Sequence, residues 1–232
     1  MLRQISNFWL LHIHPRLAPL IATIGIVGLA SCLLILFVLA EIAEEVLERD
    51  AFRFDTTFLL WLHQFANPSL DNVMLFITNL GNPTTVVLVA GITFLLLWWR
   101  RYQEEAKVFV LACLGALILN TGLKLFFSKP RPELWHRLIS EKSFSFPSGH
   151  ALGSMVLYGF IAHELATHYP RFAKFIYSLT VILIAAIGIS RLYLGVHWPT
   201  DIIAGYGVGF LWLMICITML KLQRLRQRNL VD

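Results

Sequence analysis

Two histidines, one carboxylate and three cations in this chain stand at spacings suited to chemistry on an anion, and they fall in three short segments. The first holds Lys124 and, after six residues, Arg131-Pro132. The second is Pro147-Ser148-Gly149-His150, and the third runs Ser190-Arg191, five residues, His197, three residues, Asp201. Guanidinium groups match phosphate oxygens two at a time, and a lysine adds a point charge. Converging, Lys124, Arg131 and Arg191 would cradle an anion with several oxygens. Taken alone, Lys124 could equally be a cation snorkelling at a membrane edge.

The other two segments say what could happen to that anion. Ser148 suits a helix N-cap, and Gly149 lets backbone approach a ligand closely. The helix that follows would offer free N–H groups and the positive end of its dipole to phosphate, with His150 in its first turn. Asp201 lies four positions after His197, so the carboxylate could fix one imidazole nitrogen and leave the other free to attack. The competing reading makes Asp201 a favourable anion in a helix begun by Pro199, with His197 idle. Together the groups describe phosphoryl transfer by positioning and electrostatics. A histidine nucleophile would form a phosphohistidine, and the second histidine would protonate the leaving oxygen.

The elements that must carry these segments are apolar. Of 232 residues, 57% are hydrophobic and 14% charged, and mean hydropathy is +0.69. That is too little polar surface for a soluble domain of this length. The spacing of apolar runs predicts an all-α polytopic membrane protein, one domain over 1–232, with six spans at about 19–41, 83–99, 107–127, 150–167, 173–189 and 202–220. The segment 42–82 opens with acidic residues and continues into aromatic ones. It reads as a helix lying in the interface between spans one and two, or as a plain amphipathic connector.

The formal net charge is +5. Its basic residues lie between apolar runs rather than on one polar surface, so nucleic acid is not an expected partner. The larger share of Lys and Arg falls on the side of the N-terminus, which puts both termini in the cytoplasm and the three segments on the extracytoplasmic face. Cys32, Cys113 and Cys216 sit inside apolar runs without metal or disulfide spacing. They read as packing residues. His12 and His14 read as interfacial residues rather than metal ligands.

The three segments match K-x6-RP, PSGH and SR-x5-H-x3-D at every specified position, and the chain thereby resembles the phosphatidic acid phosphatase type 2 and haloperoxidase superfamily. The layout is similar as well, with motifs after span three, before span four and between spans five and six. The resemblance implies a membrane lipid phosphatase that needs no metal or other cofactor. It implies that His197 is the nucleophile, Asp201 its orienting partner and His150 the general acid and later base. Lys124, Arg131, Arg191, Ser148 and Gly149 would bind phosphate, with Pro132, Pro147 and Ser190 shaping the site. Vanadate should inhibit. Undecaprenyl diphosphate is the expected substrate, in a bacterial plasma membrane, with phosphatidylglycerophosphate and phosphatidic acid as further candidates. A lipid-diphosphate-dependent phosphotransferase is the alternative, and a transporter the distant one. Oligomeric state is left open.

Overall fold

A computed structural model describes residues 14–48 and 53–228. The reading of His12 and part of the acidic connector (Asp50 among it) fall outside them. Eight α-helices run through the described residues, with no strand among them. They are α1 (His14–Glu48), α2 (Arg53–His63), α3 (Pro68–Asn79), α4 (Pro83–Trp99), α5 (Gln103–Phe127), α6 (Gly149–His168), α7 (Ala173–Tyr193) and α8 (Pro199–Arg228). A 3-10 turn over Pro170–Phe172 leads into α7.

Local chemistry marks most of the boundaries. Proline opens α3, α4 and α8, where its missing N–H costs nothing. Asn67 caps α3 by accepting from the Leu70 N–H, and Ser148 caps α6 by accepting from Ala151. Ser128 ends α5 in the left-handed conformation, with φ 47°. At Gly25 the backbone of α1 leaves helical geometry, so its apolar stretch is Gly25–Glu48.

Among the described residues, four helical stretches are long and apolar enough to cross a bilayer: Gly25–Glu48, Gln103–Phe127, Pro170–Tyr193 and Pro199–Leu225. A fifth arises if α3 and α4, bent by 43° at Leu80-Gly81-Asn82, form one broken span. The fourth expected span, 150–167, is helical as α6 but is not among them. It carries His150, Ser154, His163, Glu164 and His168, and it packs against α5, α7 and α8. A helix enclosed by protein can hold polar groups that a lipid-facing helix cannot. The connector expected over 42–82 holds the end of α1 and two helices, α2 and α3, rather than one.

Phe109 and Ala112 of α5, Val156 and Phe160 of α6, and Cys216 and Leu220 of α8 form the main core. The Phe109 and Phe160 rings lie 5.1 Å apart. In lipid the hydrophobic effect does not drive helices together, so close packing and interhelical hydrogen bonds must. Trp212 Nε1 donates to the Ala112 carbonyl at 2.9 Å, and Tyr158 donates to the Leu80 carbonyl at 2.6 Å. Each such bond contributes about 1 kcal/mol or less. Gly205 lets α8 approach the start of α6, since a Cβ there would lie 2.7 Å from the Ser148 carbonyl oxygen. That approach joins the two elements carrying His150 and Asp201.

Candidate active site

One end of the bundle gathers the last turns of α5 and α7, the first turns of α6 and α8, the break between α3 and α4, and the loops 128–148 and 194–198. Lys124 comes from α5, His150 from α6, Arg191 from α7 and Asp201 from α8. Arg131 and His197 come from the two loops. The second loop turns at Gly195, whose φ of 67° strains any residue with a Cβ, and a Cβ there would meet the Trp135 ring at 2.7 Å.

His197 is 1% exposed. Its Nδ1 lies 3.3 Å from Asp201 Oδ2, and Arg131 Nη1 lies 3.2 Å from its Nε2. An ionised Asp201 accepts the Nδ1 proton, which leaves the Nε2 lone pair facing the arginine. Burial pulls the imidazole down to about 4, against the opposing pull of Asp201 and helped by Arg131 and Arg191. The ring is therefore neutral at neutral pH, as a nucleophile must be. Asp201 is held in turn by the Trp198 N–H at 2.9 Å, by a short hydrogen bond from Ser145, and by Lys129 Nζ at 3.1 Å from Oδ1.

The cations converge as their spacing suggested. Arg131 donates to the carbonyls of Val196 at 2.6 Å and Ser143 at 2.8 Å, which fixes its fork beside His197. Arg191, 1% exposed, donates to Thr78 Oγ1 at 2.9 Å and pairs closely with Glu141. Its Nε has no partner among the described residues. Glu141 also lies 3.8 Å from Arg131. Burial works against the Glu141 charge, but Arg191 and then Arg131 hold its carboxyl below the usual range. Lys124 donates to the Phe144 carbonyl. A carboxylate thus sits between the two arginines proposed to take phosphate oxygens.

His150 Nε2 lies 2.8 Å from Asn82 Oδ1, at the break between α3 and α4. Gly149 and His150 reach the cavity described below, whereas Ser148, Ser190, Pro132 and Pro147 do not line it. The Ser148 hydroxyl caps α6, and its N–H donates to the Asp201 carbonyl at 3.0 Å. Ser190 donates to the Ile187 carbonyl within its own helix. Pro132 and Pro147 are buried supports.

A cavity of about 460 Å³ joins these groups. Lys124, Arg131, Glu141, His150, Arg191 and His197 line one end. Val86, Val87 and Ala90 of α4, Cys113, Leu114 and Leu117 of α5, and Leu152 and Val156 of α6 line the other. A charged anion and an apolar chain could occupy it together.

Sequence reasoning missed several contributors. Glu141, Ser143 and Ser145 lie in the loop between two motifs, where no spacing marks them. Asn82 is marked only by the Gly-Asn-Pro helix break. Asp55, on α2, is 1% exposed and accepts from the Thr200 N–H at 3.1 Å and its hydroxyl at 2.6 Å. Lys129 Nζ lies 3.7 Å from Asp55 and donates to Thr200 Oγ1 at 3.0 Å. Burial lifts the Asp55 carboxyl, against the pull of Thr200 and Lys129.

A family model described as the PAP2 superfamily matches residues 105–225. The chain is 34% identical to phosphatidylglycerophosphatase B of Bacillus subtilis over 170 residues, which covers 69% of this chain and 81% of that one. It is 30% identical to an undecaprenyl-diphosphatase of Sulfolobus acidocaldarius over 146 residues, or 61% and 66% of the two chains. Its structure is similar to that of a transmembrane PAP2 type phosphatidylglycerolphosphate phosphatase from Bacillus subtilis. The TM-score is 0.72 at 28% identity, over 82% of this chain and 94% of the other.

Proposed function

The chain belongs to the PAP2 superfamily, and on that premise we propose that it removes the terminal phosphate from a membrane lipid through His197. The observation that carries this reading is one cavity with two characters. Its cationic end holds both histidines, and its apolar end lies between α4, α5 and α6. A lipid phosphate has the same two parts.

Phosphate enters between Lys124, Arg131 and Arg191 and displaces Glu141. Nε2 of His197 attacks phosphorus, the N–P bond forms, and the bond to the lipid oxygen breaks. His150 gives that oxygen a proton and the lipid alcohol leaves. Asp201 stabilises the positive ring, as Nδ1–H already points to its carboxylate. His150 then takes a proton from water, the hydroxide attacks phosphorus, and the N–P bond breaks to release phosphate. The three cations supply the charge neutralisation that metal ions provide in other phosphoryl-transfer sites.

Two substrates stand first. The 34% identical relative is a phosphatidylglycerophosphatase, which sets phosphatidylglycerophosphate beside the undecaprenyl diphosphate expected from the motifs. We read the bundle as six crossings, with α3 and α4 as one broken span and α6 as the enclosed one. Both termini are then cytoplasmic, α2 lies at the interface, and the site faces the extracytoplasmic side.

The test is phosphate release by detergent-purified protein in excess EDTA, with both lipids, phosphatidic acid and a soluble sugar phosphate. Release should survive EDTA, fall with vanadate, and vanish in His197→Ala. A variant that kept about a tenth of wild-type turnover would remove His197 as nucleophile, because loss of a covalent nucleophile costs far more than that. Label passing to an acceptor lipid instead of free phosphate would mark a transferase.

A further inference from the structure

Asp55 belongs to no motif and lies on a helix that sequence reading treated as a connector. Yet it is buried, and two of its bonds end on Thr200, next to Asp201. We propose that Asp55 and Lys129 are positioning residues that set the placement and charge of Asp201, and through it the readiness of His197. The inference rests on the phosphatase reading above.

The placement is geometric. The Thr200 N–H is one of the first-turn donors that a helix leaves without an internal partner. Asp55 accepts it from α2, 145 positions earlier in the chain, and so pins the start of α8 where Asp201 sits. The Thr200 hydroxyl gives a second bond to the same carboxylate at 2.6 Å. Asp201 Oδ2 is then held by Trp198, Ser145 and His197, while Oδ1 faces Lys129.

The charge follows from who shares Lys129. Its Nζ lies 3.1 Å from Asp201 and 3.7 Å from Asp55, with only 13% of its side chain exposed. The Phe146 and Trp198 rings each lie 5.8 Å from the same nitrogen. Facing Asp201 alone, this ammonium would cancel the negative charge that must stabilise the ring of His197 as the N–P bond forms. With an ionised Asp55 beside it, this ammonium is shared, and Asp201 keeps more of its negative charge for the positive charge that develops on His197.

Asp55→Asn removes the charge and keeps the Thr200 N–H bond, because the amide oxygen still accepts it, while the Thr200 hydroxyl must turn to accept from the new amide N–H. Phosphate release from phosphatidylglycerophosphate and from undecaprenyl diphosphate should lose at least about tenfold in kcat, with KM within about threefold and an unchanged melting temperature. Lys129→Met added to Asp55→Asn restores the balance, so the double variant should turn over faster than Asp55→Asn alone. Wild type and His197→Ala run beside them. Asp55→Asn with kcat within about twofold of an active wild type would sink the inference and leave the phosphatase reading standing. A double variant whose loss equals the product of the two single losses would also sink it, since independent effects multiply. A wild type that releases no phosphate would end both.

Discussion

The two ends of the helix bundle both enclose arginine, and they treat it differently. At the end away from the site, Arg224 of α8 lies 2.8 Å from Glu105 of α5 and 3.1 Å from Glu164 of α6. One cation meets two carboxylates, all on helices. At the site end, Arg131 and Arg191 meet one carboxylate, Glu141, carried by a loop, and Lys124 beside them bonds a backbone carbonyl. The first arrangement satisfies its cation on rigid elements and ties three helices together. The second leaves an excess of positive charge beside a cavity, with its counter-charge on a loop rather than on a helix. A buried cation whose partner can leave is suited to receive an anion; one clamped between helices is suited to hold them.

Three substitutions would break or sharpen that contrast. Arg191→Lys keeps the charge but loses the planar fork, and kcat/KM for phosphate release should fall by about 10²–10³, the usual loss for one transition-state donor. Equal turnover in that variant would remove Arg191 from the cradle. Arg224→Met should do the reverse. It should lower stability by about 1 kcal/mol or more, since the exposed part of the pair contributes little and the buried part more. Turnover per folded molecule should stay within about twofold of wild type, and a larger fall would show that the two ends are coupled. Glu141→Gln should act least, lowering KM and the inhibition constant of vanadate by about three- to tenfold, because the anion no longer competes with a carboxylate for Arg191 and Arg131. A higher KM instead would make Glu141 a brace for the arginines rather than a competitor.

The contrast between the ends was only half legible beforehand. Lys124, Arg131, His150, Arg191, His197 and Asp201 were named from type and spacing, and the structure brings all six to one end of the bundle. Short-range spacing carries that information well, because the three residues between His197 and Asp201 can hardly hold them apart. Ser148 and Ser190 were named for the site, but their hydroxyls go to backbone partners at helix ends. Small hydroxyl residues in such places bond locally before they bond a ligand. Glu141, Asn82 and Asp55 were not named at all. Their partners lie 50, 68 and 145 positions away, and nothing local marks a contact made at that distance.

Span counting shows the same limit. Hydropathy separated the lipid-facing helices but could not tell that α6 is surrounded by protein. Composition and motif spacing by themselves determined a helical membrane protein that gathers two histidines and three cations at one place, because apolar length and short-range geometry are local properties of the chain. Only the tertiary structure decided that Glu141 sits between the arginines and that α2 holds the start of α8. It also decided that an apolar passage between α4, α5 and α6 ends at His197. Each depends on helices meeting across the bundle, and packing makes that choice with residues far apart in the sequence.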